Sequence, residues 1–203
     1  VWKLKLVMDG LAPDGLLDTY SDERVAAARE NLLNSTRSTD FITPKSAMSR
    51  TFRDAVLGLA ADHPFARALV NSGRLSTPTT YTGSRLNTAD TDTFAGAMVP
   101  GAPATDAPVE DAAHEAGWLM DRLGGRFVAL YHAGPEPVPA AVAEAMAALE
   151  AGPLPFAWHV VTDRRRDAGA NALVDVNGRF AERYDATPGT VYLIRPDQHV
   201  AAR

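Results

Sequence analysis

Two hydrophobic periods divide this chain, and they do not overlap. Up to residue 73 apolar residues recur at three- and four-residue spacings, the period of helices buried on one side. Beyond Gly117 they gather into short continuous runs, the mark of strands covered on both faces. Such a chain is neither one helical bundle nor an all-β sandwich. It is α+β or α/β, with a helical first part and a sheet in the second.

The chain opens inside a helical pattern, with Trp2, Leu6 and then Met8 or Asp9 on one face and no capping residue ahead of Val1. We read this as the continuation of a longer helix. Gly10, Pro13 and Gly15 end it and make a turn. A second helix is expected from about Leu16 to Arg37, with Leu17, Tyr20, Arg24, Ala28 and Leu32 near one stripe. Thr43-Pro44 breaks the pattern. From about Ser46 to Asp62 the spacing of Met48, Phe52, Val56 and Leu59 predicts an amphipathic helix. His63-Pro64 is a boundary, because the residue before proline is disfavoured in helical geometry. A short helix over Phe65–Val70 then stops at Asn71-Ser72-Gly73.

Residues 75–108 hold Pro78, Pro100, Pro103 and Pro108 with little periodicity, and are read as an extended linker. The division that follows is a helical part over 1–74, the linker over 75–108 and a second domain over 109–203. In that domain Phe127–Tyr131 is a buried parallel strand. Prolines 135, 137 and 139 precede a helix with Val142, Ala145, Met146 and Leu149 on one face, ended by Gly152-Pro153. Phe156–Val161 is a second strand and Asn177-Gly178 a turn. Val191–Ile194 is a third strand, and Arg195-Pro196-Asp197-Gln198 a tight turn into a last one, His199–Ala202. Strand, helix, strand, then hairpin is a βαβ unit plus a hairpin, the thioredoxin-like plan.

Composition narrows the chemistry. The 203 residues contain no cysteine, which excludes disulfides, thiolate metal sites and dithiol exchange. In redox-active proteins of the thioredoxin plan a CxxC pair follows the first strand. Here that stretch is Tyr131-His132-Ala133-Gly134-Pro135, and Thr187-Pro188 stands where such proteins carry a proline beside the thiols. A net charge of −5 argues against a nucleic-acid partner. No apolar run approaches the roughly 18 residues of a membrane span, and the expectation is a soluble, cytoplasmic protein.

The remaining candidates are weak. His63, His114, His132, His159 and His199 have no helical metal-ligand spacing. Glu110-Asp111 with His114-Glu115 fits a solvated helix start or linker, and Asp90-Thr91-Asp92 a polar loop. Arg164-Arg165-Arg166 is a loop cluster. Gly124-Gly125 precedes a strand, the wrong order for a phosphate cradle. No GxGxxG, Walker A or GxSxG pattern occurs. No catalytic, cofactor-binding or metal residue is assigned.

Several stretches, in order, resemble the FAD-dependent aromatic-ring hydroxylases of the phenol, pentachlorophenol and hydroxyphenylpropionate hydroxylase type. They are Trp2-Lys3-Leu4 with Val7-Met8-Asp9-Gly10, Leu16-Leu17-Asp18-Thr19-Tyr20 with Glu23-Arg24, and Phe65 to Ser76. They continue through Pro78, Tyr81, Ser84, Leu86-Asn87 and Val99-Pro100-Gly101-Ala102-Pro103 to Leu193-Ile194-Arg195-Pro196-Asp197. Ser21-Asp22-Glu23-Arg24-Val25 and Arg85 depart from the family's usual residues. The resemblance implies a helical segment of the flavoprotein core followed by a thioredoxin-like domain without its closing helix. It implies FAD and NAD(P)H as cofactors of the parent family, whose flavin-holding GxGxxG, Asp-Gly and Gly-Asp-Ala motifs would all lie ahead of Val1. The expectation is therefore a C-terminal fragment, inactive and without cofactor alone. Its partners would be the missing N-terminal FAD/substrate domain and, left open, a second copy of itself. The alternative is a separately encoded, non-catalytic thioredoxin-like assembly or binding module.

Overall fold

The computed structural model describes residues 1–70, 78–90, 92–134, 137–163 and 171–203. Helices α1 (Trp2–Met8), α2 (Leu16–Ile42), α3 (Ala47–Ala60) and α4 (Pro64–Val70) come first. The strands are β1 (Pro108–Asp111), β2 (Ala116–Trp118), β3 (Phe127–His132), β4 (Phe156–Thr162), β5 (Ala172–Asp175), β6 (Val191–Ile194) and β7 (Val200–Ala202). Helix α5 (Ala140–Glu150) joins β3 to β4, and α6 (Arg179–Tyr184) lies between β5 and β6. The strands form one mixed sheet in the order β2-β1-β5-β4-β3-β6-β7. None of the described helices is long and apolar enough to cross a membrane.

The chain divides into two compact units, Val1–Ser21 with Thr80–Arg203, and Asp22–Thr79. This differs from the division at residues 74 and 108. Helix α1 belongs with the sheet, because Leu6 is buried there and the Trp2 ring meets Phe127 edge-on at 5.6 Å. The segment expected to be a linker is hydrogen-bonded along the hairpin strand β7. Thr88 N–H donates to Ala201 C=O at 2.8 Å, Gly101 N–H to Val200 C=O at 2.7 Å, and Val200 N–H to Ala102 C=O at 2.9 Å. A strand edge left open would invite pairing with another chain, and this segment covers it.

At the centre of the sheet, β3 and β4 run parallel from Phe127↔Phe156 to His132↔Val161, with α5 as the expected crossover. Strand β6 pairs antiparallel with β3 and then with β7, as the tight turn requires. Three strands were not foreseen. Pro108, two carboxylates and Gly117 give the β1–β2 hairpin poor strand propensity, so it passes for linker. Strand β5 is four buried residues with no alternation to mark it. Helix α6 is held by Asp175, whose carboxylate accepts from Phe180 N–H at 2.8 Å and Ala181 N–H at 3.0 Å.

The core gathers around α6. Phe180 stacks on Tyr184 at 4.5 Å, and Tyr184 meets Tyr192 edge-on at 5.0 Å. Tyr184 Oη donates to Thr105 C=O at 2.7 Å and Tyr192 Oη donates to Tyr184 C=O. Burial pushes both phenols above their ordinary range. A raised acid keeps its proton in the fold while the unfolded chain loses it. Their contribution is therefore complete below about pH 10 and is lost as the pH climbs past it. Phenolate absorbance for these two side chains is expected only with unfolding. Ionisation of all five tyrosines with the far-ultraviolet dichroism intact would contradict this.

In the unit Asp22–Thr79 the helix ends follow local chemistry. Ser46 Oγ accepts from Ser49 N–H at 3.1 Å to start α3, and Pro64 opens α4 at the position where its missing N–H costs nothing. The Arg67 guanidinium donates to the last carbonyls of α3, Ala60 at 2.8 Å and Ala61 at 2.7 Å. The expected packing stripes are another matter. Along α2 the buried residues are Thr19, Glu23 and Ala27, while Leu32 is 68% exposed. Along α3 only Val56 is buried, with Met48 81% and Phe52 58% exposed. Apolar residues stand on opposite faces of α2, Leu17 and Leu33 among them, so periodicity alone does not select the inward face.

Candidate functional site

A polar node forms where β6 turns into β7. Arg195 N–H donates to His199 C=O at 2.8 Å and Gln198 N–H to Arg195 C=O at 2.9 Å, closing the turn around Pro196. The turn brings Arg195 and Asp197 to one side. The guanidinium donates through Nε to Oδ1 at 3.0 Å and through Nη2 to Oδ2 at 2.7 Å, a two-point grip on the carboxylate. Arg195 is 1% exposed. From α1, the Trp2 indole N–H donates to Asp197 Oδ2 at 3.0 Å.

Aromatic rings close the node. The guanidinium carbon lies 5.4 Å from the Trp2 ring centre and 5.7 Å from that of Tyr81. His199 stacks on Tyr81 at 4.5 Å, and its Nδ1 is 3.0 Å from the Asp197 carbonyl. Three segments far apart in sequence meet here: α1, the strand-covering segment and the hairpin. Burial alone would raise the Asp197 carboxyl. The His199 ring, the Arg195 hydrogen bonds and charge, and the Trp2 indole outweigh it and hold the group well below the usual carboxylate range. A carboxylate so saturated carries no proton near neutral pH. Through Trp2 it clamps α1 to the hairpin. Sequence reasoning found the turn and missed the clamp. The available signal was an arginine directly after a buried strand with an acid two residues on.

A cavity of about 410 Å³ lies beside the clamp, lined by Val1, Trp2, Lys5, Leu6, Gly125, Phe127, Pro155, Pro196 and Asp197. Gly124 and Gly125 have φ of +102° and +72°, and Gly125 N–H donates to Pro196 C=O at 3.0 Å. They shape a turn at the cavity rim.

The structure brings the stretches His132–Gly134 and Thr187–Thr190 together. Gly189 N–H donates to His132 C=O at 2.8 Å and His132 N–H to Thr190 C=O at 2.9 Å. A Cβ on Gly134 would fall 2.5 Å from Pro188 Cγ, so the proline ring fills the space beside the turn. Pro135 lies outside the described residues. Nearby, Arg203 grips Asp90 at 2.8 Å and lies over the Phe94 ring at 4.3 Å.

The other sequence candidates scatter. His63 is exposed beside Phe65, His114 sits in the β1–β2 turn at φ +64°, and burial lowers the half-buried His159 on β4. Among the described residues no three His, Asp or Glu side chains group as metal ligands would. Asp90 faces Arg203 while Asp92 is exposed, so the pair does not converge. Glu110, Asp111, His114 and Glu115 belong to a β-hairpin, not a helix start or linker. Asp111 accepts from Glu115 N–H at 3.1 Å and Ala113 N–H at 2.9 Å and pairs with Arg122 at 3.1 Å. Those backbone bonds hold its carboxyl below the usual value. Arg164-Arg165-Arg166 lies outside the described residues.

No protein-family model matches the chain. Among characterised proteins it is 31% identical over 210 residues to 4-methyl-5-nitrocatechol 5-monooxygenase of a Burkholderia species, covering 99% of this chain and 34% of that protein. It is 30% identical over 226 residues to a putative polyketide hydroxylase of Streptomyces halstedii, covering all of this chain and 35% of that one. Among solved structures, the flavin-dependent monooxygenase PieE in complex with FAD and substrate superposes with a TM-score of 0.63 at 26% identity, over the whole of this chain and 39% of its own. Aklavinone-11 hydroxylase, bound to FAD and aklavinone, gives 0.61 at 24% identity over 98% of this chain and 34% of its own, a likeness of fold. The chain thus spans about a third of the length of the relatives it matches. Its order of helices, mixed sheet and terminal hairpin is that of a homologue of the C-terminal portion of the FAD-dependent aromatic monooxygenases.

Proposed function

We propose that these residues serve as the C-terminal part of an FAD-dependent monooxygenase that hydroxylates phenolic aromatic substrates with NAD(P)H and oxygen in the cytoplasm. Their own part is packing and subunit contact, with the chemistry carried elsewhere in the enzyme. The observation that carries this reading is the inverted helical unit. Val25, Leu32, Met48, Phe52, Phe65 and Leu69 are all exposed there, while among the described residues its buried apolar ones are Ala27, Val56 and Ala66. Apolar surface on this scale marks an interaction face. A body the size of the relatives' remaining two thirds would cover it.

The sheet unit is proposed as a cysteine-free thioredoxin-like domain. Parallel β3-α5-β4 followed by the antiparallel β6–β7 hairpin supports this. The flavin nucleotide is proposed to be held outside these residues. Backbone can approach a pyrophosphate where a glycine leaves room, and at Gly101 and Gly134 that room is taken by the chain itself. A Cβ on Gly101 would meet the Tyr81 carbonyl at 2.4 Å, and one on Gly134 would meet Pro188. When bound in the parent, the flavin supplies the oxygen-transfer chemistry.

Expressing the reading frame together with its upstream part tests the proposal. The longer protein is expected to be yellow and to consume NAD(P)H and oxygen when a phenol is added. A frame that stops just ahead of Val1, or a longer protein without flavin, would contradict it.

A further inference from the structure

The topology of the sheet leaves one seam thin. Strand β5 holds to β4 through three residue pairs, from Val160↔Ala172 to Thr162↔Val174, and β1 and β2 join the sheet on the far side of β5. These three outer strands therefore move together if the seam loosens.

His159 stands at the end of that seam, one residue before Val160 on β4. Its cross-strand partner on β3 is Leu130, which is wholly buried. On the other side Val160 N–H donates to Asn171 C=O at 3.1 Å. Neither ring nitrogen of His159 reaches solvent, and neither has a hydrogen-bond partner among the described residues. The charges that act on the ring come from three neighbouring places. Arg122 lies in the turn Leu119–Arg122, Arg126 leads into β3, and Glu150 ends α5. Arg122 is itself bound to Asp111 of β1 at 3.1 Å, and its Nε is buried without a partner among the described residues. Two guanidinium groups against one carboxylate leave the ring on the positive side. An imidazolium held here would have no water, no free acceptor and a net repulsion. Burial and the two arginines accordingly hold the ring below the usual histidine range, against the Asn171 carbonyl and Glu150.

We infer that His159 is an acid-sensitive latch on the β4–β5 seam. As a neutral ring it seals the end of the seam. Once protonated it turns out to water and loosens β5 together with the β1–β2 hairpin. The unfolded chain takes up this proton near pH 6.5 and the folded chain at a lower value. The stability that the neutral ring contributes is therefore complete above about pH 6.5 and is lost as the pH falls through the folded value.

The test compares the full chain with His159→Gln, whose amide carries no charge, by urea unfolding at about pH 7.5 and about pH 5.5. Between these the folding constant of the native chain is expected to fall about fivefold further than that of the variant. Amide exchange, corrected for the intrinsic effect of pH, locates the loss. At the lower pH β5 and the β1–β2 hairpin should open more readily in the native chain, with β6 and β7 unchanged, and His159→Gln should show no such difference. Should the variant fail to fold, the native chain decides alone: the His159 ring resonance is expected to keep its neutral position at about pH 6. Equal pH dependence in the two chains, opening spread evenly over the sheet, or a ring that is protonated near pH 6.5 with the fold intact overturns the inference.

Discussion

Replacing Asp197 with alanine is expected to destabilise the sheet unit by about 3–5 kcal/mol, the range for removing one partner of a buried ion pair. The variant strips the two-point carboxylate from an arginine that is 1% exposed and cuts the bond that ties α1 to the hairpin. Trp2→Phe keeps the ring against Phe127 and loses only the indole donor, so about 1 kcal/mol is expected. Urea unfolding with both variants separates the two contributions. The pH dependence follows from the lowered Asp197 carboxyl. Its contribution is complete above the unfolded value near 3.9 and is lost as pH falls through the lower folded value. The gap between native chain and Asp197→Asn should therefore hold at neutral pH and close below about pH 4. A gap that is small at neutral pH, or that widens in acid, would show that the clamp does not hold the fold.

The second large effect concerns association. The helical unit exposes Leu32, Met48 and Phe52 on a scale that a monomer in water rarely tolerates. Each such side chain gains about 1.5–3 kcal/mol on full burial. Without a covering body, the isolated chain is expected to associate with itself, its sedimentation coefficient climbing with concentration. Leu32→Lys, Met48→Lys and Phe52→Lys together should restore a monomer without loss of helical dichroism. A native chain that stays monomeric across a wide concentration range would count against the packing role.

The extent to which the fold was legible follows from which signals are local. Helix ends at Gly10, Ser46 and Pro64 depend on capping and backbone geometry within a few residues, and they were found where expected. The buried runs Phe127–Tyr131 and Val191–Ile194 declared themselves as strands, because continuous apolar stretches between turns have few other solutions. The inward face of α2 was not legible, since its direction depends on what packs against it. Strands β1 and β5 pair with each other across more than 60 residues, and nothing local marks either of them. The Arg195–Asp197 clamp falls between these cases. Its turn is local, but Trp2 reaches it across 195 positions of sequence. The family resemblance held because it rests on ordered short motifs.

The central claim is that the groups able to hold a flavin lie outside these residues. Mixing the purified chain with FAD and recording the visible spectrum and flavin fluorescence tests it directly. The expected result is the spectrum and emission of free flavin, unchanged by excess protein. A shifted, quenched flavin that stays with the chain through gel filtration would contradict the account.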